Sequence, residues 1–346
     1  MVLVVLFALA FWMLGRWLRV PVGRRWLPVG LLFATIALFH LTLPADHVLR
    51  QATGGNLRNW GVVALLAAIA VTYWFILSFL RARARRALEP PAASGPFTGT
   101  ELDRYARHIV LREIGGPGQK RLKNAKVLVI GAGGLGSSSL LYLAAAGVGT
   151  IGVVDDDTVD LSNLQRQIIH RDDDIGLPKV FSAQSALRAL NPFVEVRPYR
   201  RRLTPETAGG LIADYDLVLD GCDNFDTRYL VNAVCVALDK PLIAGAMTQW
   251  EGQISLYHPA QGAPCYACVF PQRPAPGLAP TCAEAGIIAP LPGVIGSMMA
   301  LEAVKHIAGA GEGLAGRMLI YDALYAETRR IKMAPRPDCP VCRKEA

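Results

Sequence analysis

The tightest constraint on the fold is a junction. The apolar run Val127–Ile130, within the strand-like stretch Lys126–Ile130, passes without a break into Gly131-Ala-Gly133-Gly134-Leu-Gly136, and Ser137–Ala146 then reads as a helix. A strand that turns through glycines straight into a helix is one half of a βαβ unit. There the glycines let the backbone approach a phosphate, and the helix N-terminus supplies free N–H groups and a partial positive charge. The next strand-like run, Thr150–Val154, ends at Asp155, about twenty residues past the glycines, where an acid can bind ribose hydroxyls. Leu217–Asp220 is another buried-strand run, and Gly136–Ala146 and Lys179–Leu190 read as helices between strands. This alternation predicts an α/β fold with a parallel sheet. The loop specifies a nucleotide without saying which. NAD(P)-dependent reduction stays open on this evidence, as does a glycine-rich turn that binds nothing.

The first 90 residues are of a different kind. They hold ten Arg, no Lys and two acids, Asp46 and Glu89, whereas residues 91–346 carry 26 basic and 26 acidic residues. The formal charge of +8 therefore sits in the N-terminal quarter. Basic excess confined to the flanks of apolar runs points to membrane orientation, and nucleic-acid binding is not expected. Three apolar runs, Val2–Leu14, Trp26–Leu43 and Trp60–Leu80, predict two to three transmembrane helices within residues 1–88. The third has 21 residues without a formal charge, enough to cross a hydrocarbon core of roughly 30 Å. The first is short, and a peripheral hairpin is its alternative. Arg16, Arg19, Arg24 and Arg25 follow the first run and Arg81, Arg83, Arg85 and Arg86 the third, against Arg50 and Arg58 in the loop between. That asymmetry puts the N-terminus outside a multi-pass inner-membrane protein and the globular part, residues 101–346, in the cytoplasm. Residues 89–100, rich in Pro, Gly and Ser, read as a linker.

Further motifs follow in order: Arg104-Tyr-Ala-Arg107-His, Asp155-Asp-Asp157, Ser162-Asn163-Leu-Gln165-Arg166-Gln167, Gly176-Leu-Pro-Lys179, Asp220-Gly-Cys-Asp223-Asn224 and Thr281-Cys282-Ala-Glu-Ala-Gly. With the glycine loop, this series resembles the ThiF/MoeB/HesA family, relatives of the ubiquitin-activating enzymes, over roughly residues 101–343. The resemblance implies a Rossmann-like nucleotide-binding domain with a mixed, mostly parallel sheet. It also implies an adenylyltransferase that spends ATP, with Mg²⁺, on the C-terminal Gly-Gly carboxylate of a ubiquitin-like sulfur-carrier protein. That carrier would be of the molybdopterin-synthase small-subunit or ThiS type, and pyrophosphate would leave. By the same resemblance Gly131, Gly133, Gly134, Gly136, Asp155, Asp157, Asn163, Arg166, Gln167, Lys179, Asp223 and Asn224 bind the nucleotide, and Asp223 holds the magnesium. Arg107 would reach into the site of a partner subunit, which requires a homodimer. Elementary chemistry asks for the same parts. Bringing an anionic carboxylate onto the α-phosphate of a polyanion needs cations such as Arg166 and Lys179, and a group that orients metal. One departure is Cys222, where the family's D-x-T-D-N pattern has Thr.

Four of the seven cysteines form two CxxC knuckles, Cys265/Cys268 and Cys339/Cys342, each able to offer two thiolates to one structural zinc. A redox pair is the rival role. Cys282 follows the Pro-rich stretch Pro271–Pro280, a loop on which a nucleophile could approach an adenylate, and in relatives this position can carry a covalent intermediate with the carrier. Cys222 and Cys235 lie in apolar surroundings and read as packing residues. The chain stops soon after Cys342, so no rhodanese-like domain is expected and a separate protein would donate the sulfur. Alternatives are a tRNA-modifying dehydratase of the same superfamily, an NAD(P)-dependent oxidoreductase and a catalytically silent membrane scaffold.

Overall fold

A computed structural model of the chain describes residues 2–18, 20, 22–44, 46–54, 57–88, 95–274 and 285–343. They fall into two compact units, Met1–Ala92 and Ala93–Ala346.

The first unit is helical: α1 (Val2–Trp17), α2 (Val22–Thr42), the short α3 (Val48–Ala52) and α4 (Leu57–Leu88). Among the described residues one 18-residue window, Arg25–Thr42, is long and apolar enough to cross a membrane, with mean hydropathy 1.4. Leu6–Trp17 and Val71–Leu80 are apolar but shorter. Part of the Trp60–Leu80 run expected to span lies outside the described side chains. Trp12 packs edge-on against Trp26, with Arg25 over the Trp12 ring, which ties α1 to α2.

In the second unit the described residues begin within the stretch expected as linker, residues 89–100. Residues 89–94 lie outside the described residues, but Phe97 is buried and Thr98 caps α5 (Gly99–Ile109) in a reciprocal capping box with Glu101. Two donors are satisfied there, which fixes the start of α5. Helix α6 (Gly115–Asn124) leads into β1 (Lys126–Ile130), α7 (Gly134–Ala146), β2 (Thr150–Val154), α8 (Lys179–Leu190), β3 (Glu195–Tyr199), α9 (Pro205–Ala213), β4 (Leu217–Asp220), α10 (Phe225–Ala237) and β5 (Leu242–Thr248). An antiparallel extension follows: β6 (Glu251–Tyr257), the short α11 (Tyr266–Val269), α12 (Pro290–Ala308), β7 (Arg317–Asp322) and β8 (Glu327–Lys332). The eight strands form one mixed sheet in the order β3-β2-β1-β4-β5-β6-β7-β8, parallel from β3 to β5 and antiparallel from there to β8.

Alternation along β1 explains the two-sided burial. Val127 and Val129 face a core shared with Leu140, Leu143 and Leu187, and with Ile295 and Met299 of α12. Leu128 and Ile130 face the other core, with Leu211, Ile212 and Val231 from α9 and α10. A strand covered on both faces has no polar side to show, hence the continuous apolar run Val127–Ile130 after the exposed Lys126. The strand order reverses between β1 and β4, and ligands bind beyond the carboxyl ends of strands at such a reversal. Small residues let α12 press onto α7 there. Ser139 Oγ donates to the Gly296 carbonyl (2.8 Å), and a Cβ on Gly296 would lie 2.3 Å from the Leu135 carbonyl oxygen.

Candidate active site

The glycine loop runs off β1 with Gly131 at φ +93°, a conformation side chains avoid. Gly136 is not among the residues lining the cleft above the loop; a Cβ there would lie 1.9 Å from the Gly131 carbonyl oxygen, which makes it a packing glycine. Gly133 precedes α7 without a side-chain cap, which leaves the first-turn N–H groups facing the cleft free for an anion.

That cleft, about 410 Å³, lies over the ends of β1, β2 and β4 and holds Gly131, Gly133 and Gly134 with Asp155, Asp157, Arg166, Gln167, Lys179, Asp223 and Asn224 in its wall. Residues scattered over nearly a hundred positions therefore converge. Asp155 organises the loop: Oδ2 accepts from the Ala132 N–H (2.7 Å) and Oδ1 from the Asp157 N–H (2.9 Å). Burial raises its pKa against the pull of those bonds. Lys179 is buried and paired to the exposed Asp157 at 2.9 Å. Arg166 donates to Asn163 Oδ1 (2.6 Å) and the Ser162 carbonyl. Asn163 is thus a strut behind Arg166 and does not line the cleft. Gln167 is buried in the cleft wall, and its Oε1, itself shielded from solvent, has no hydrogen-bond partner among the described residues.

Asp223 lies in the turn after β4, and Asn224 caps α10 by accepting from the Thr227 N–H (2.8 Å). This turn also lines a second cavity of about 380 Å³, over β4 and β5, with Phe225, Tyr229, Tyr266, Phe270 and Met247. The two cavities share Leu135, Gly221, Cys222, Asp223, Asn224 and Met247. Cys222 is therefore more than the packing residue expected of it. Burial, with Asp220 beside it, pushes its thiol pKa well up and keeps it protonated. Cys235 is a core residue as expected.

Arg107 is exposed on α5 and outside both cavities, and Cys282 lies outside the described residues. Sequence reasoning missed Arg201 and Arg202, which line the first cleft from the loop after β3, and Arg228 in the second cavity. The run Arg200-Arg201-Arg202 directly after a strand end was the available signal.

Away from the cleft, the Cys265, Cys268, Cys339 and Cys342 sulfurs lie within 4.8 Å of one another, with contacts of 3.6 Å (Cys265–Cys339) and 3.4 Å (Cys268–Cys342). A zinc tetrahedron with Zn–S of about 2.3 Å has edges of about 3.8 Å, so the four thiols fit that ion.

An α/β domain with a phosphate-binding glycine loop, converging cations, a second cavity at the strand-order reversal and a four-cysteine clip belongs to the nucleotide-dependent activating enzymes. The comparisons narrow the class. The ThiF family model matches residues 105–341, and the chain belongs to that family. It is 51% identical over 253 residues to the sulfur carrier protein adenylyltransferase of Thermus thermophilus, covering 72% of this chain and 93% of that one. It is 48% identical over 243 residues to the SAMP-activating enzyme E1 of Haloferax volcanii, covering 70% and 89%. Among solved structures, E. coli MccB with ATP superposes with a TM-score of 0.58 at 25% identity, over 65% of this chain and 69% of that one.

Proposed function

We propose that the chain adenylates the C-terminal Gly-Gly carboxylate of a ubiquitin-like sulfur-carrier protein, with ATP in the first cleft and the carrier's tail in the second cavity. One observation carries this: the two cavities meet at the Gly221–Asn224 turn. A carboxylate entering from one side faces the phosphates of a nucleotide held on the other. Its oxygen attacks the α-phosphorus, the bond to the bridging oxygen breaks, and pyrophosphate leaves with the electron pair. The attacking group is already an anion, so no general base is needed. The loop N–H groups, Arg166 and Lys179 offset the phosphate charge, and Asp157 holds Lys179 in register. When bound near Asp223, Mg²⁺ supplies further neutralisation of the phosphates. Arg107 of a second copy would complete the site. The exposed apolar groove of Tyr142, Ile168, Met298 and Leu301, with Arg166 at its edge, supports the homodimer this needs. The cysteine clip holds zinc.

The first unit is read as a membrane anchor that leaves the adenylating domain in the cytoplasm. Leu6, Phe7, Leu31, Leu38, Trp74 and Phe79 are exposed on its helices, a surface that water does not favour. Resistance to alkaline carbonate extraction is the expected result, and full release would refute the anchor.

ATP–pyrophosphate exchange tests the chemistry. Exchange is expected only when a carrier ending in Gly-Gly is added. Its absence with every such carrier encoded beside the gene or elsewhere in the genome would refute the proposal.

A further inference from the structure

At the floor of the second cavity lies a guanidinium that no motif announced. Arg228, in the first turns of α10, is 6% exposed. Its Nη2 donates to the carbonyl oxygens of Cys222 (2.6 Å) and Gly245 (2.9 Å). Its Nη1 stands 3.8 Å from Asp220 Oδ2, a buried oxygen that accepts no hydrogen bond. The other Asp220 oxygen accepts the Cys222 N–H at 2.9 Å. Burial opposes the charge on Arg228, but Asp220 more than restores it and the group stays a cation.

These contacts tie three points together: the end of β4 at Asp220, the turn after it at Cys222, and β5 at Gly245. Burying a charge is costly unless it is paired and hydrogen-bonded, and here Asp220 supplies the opposite charge while both Nη2 hydrogen bonds go to backbone that borders the site. The turn so held is the stretch common to both cavities, and Asp223 follows Cys222 in it. A lysine could not substitute, because a single ammonium on a flexible stem does not span two carbonyls and a carboxylate at once.

We propose that Arg228 is a positioning residue for adenylation: it fixes the Gly221–Asn224 turn, and with it the place of Asp223 between nucleotide and acyl group. The proposal rests on the functional reading above. Arg228 forms no bond to either substrate and acts through the backbone it holds.

The test uses the full-length protein in detergent, with R228K and D220N beside the wild type. ATP affinity in the presence of EDTA is expected to match the wild type, which reports an intact first cleft. For R228K, kcat of carrier-dependent exchange is expected to fall about 100-fold, the cost of an ångström-scale misplacement, with KM for ATP unchanged. Mn²⁺, the paramagnetic probe of the metal position, is expected to bind the R228K–ATP complex about tenfold more weakly, the usual cost of losing a supporting partner. D220N, which keeps the acceptor for the Cys222 N–H, is expected to shift Mn²⁺ affinity in the same direction. Wild-type Mn²⁺ affinity and wild-type kcat per nucleotide-binding site in R228K would overturn the proposal, whatever its melting temperature. If R228K does not fold, unchanged Mn²⁺ affinity in D220N overturns it equally. Absence of exchange in the wild type would instead refute the functional reading, and the Mn²⁺ comparison separates the two failures.

Discussion

Stripping metal from the cysteine clip is expected to cost stability by an amount the chain's connectivity fixes. Between Cys268 and Cys339 lie 70 residues, including α12, β7 and β8, and a cross-link across a loop of that length removes about 4 kcal/mol of unfolded-chain entropy. For a domain of this size the melting temperature should then drop by about 10 °C. The damage should also reach the site selectively. The buried cysteines pack against Tyr229 and Val236 of α10, and Tyr229, Tyr266 and Phe270 line the second cavity, whereas the first cleft takes only Asn224 and Thr227 from the start of this helix. Calorimetry of purified protein before and after chelation, with zinc counted by atomic spectroscopy, measures the stability term. KM values measured in parallel should rise more for the carrier than for ATP. Protein that contains no metal, or that loses its metal with an unchanged melting temperature, would refute the reasoning.

R166A and K179A should each lower exchange by about 100- to 1000-fold, the usual loss when one charge-stabilising group is removed, and parallel decreases in kcat and kcat/KM would check that the loss falls on the transition state. His170 should give an acid-limited stability. It is buried between the Ala132 carbonyl (2.9 Å) and Ser182 (2.8 Å), and burial lowers its pKa below the ordinary 6.5. The unfolded chain then binds the extra proton first, so stability is full above about pH 6.5 and falls as pH drops towards the lowered folded value. Denaturant melts across pH 5–8 should show this slope and H170Q should flatten it; an equal slope in both would place the effect elsewhere. Removing residues 1–90 should leave a soluble protein with wild-type exchange, and loss of exchange would show that the first unit shapes the site.

Much of the nucleotide half was legible because its constraints are local. Lys126–Ile130, Thr150–Val154 and Leu217–Asp220 are strands at those limits, since a strand buried on both faces must be apolar throughout, and the glycines mark where backbone approaches backbone. The antiparallel extension was not legible in the same way. Strand β8, Glu-Thr-Arg-Arg-Ile-Lys, is exposed along its whole length and carries no burial pattern. Only the Gly221–Asn224 edge of the second cavity lies in a motif; the rest is drawn from side chains on α10, β5 and α11, such as Tyr229, Met247 and Tyr266, each of which reads alone as ordinary core. Asn163 and Gly136 share motifs with residues that line the cleft but do not line it themselves. Only the fold separates a residue that touches the cleft from one that supports its neighbour. Likewise the pairing of Lys179 with Asp157 joins two residues that the sequence presents as independent ligands.

The most direct measurement is a crystal structure of the protein with a non-hydrolysable ATP analogue and its carrier. The account requires the triphosphate between the glycine loop, Arg166 and Lys179, and the carrier's final carboxylate about 3–3.5 Å from the α-phosphorus beside Asp223. A nucleotide in the second cavity, or a tail that ends away from the Gly221–Asn224 turn, would contradict it.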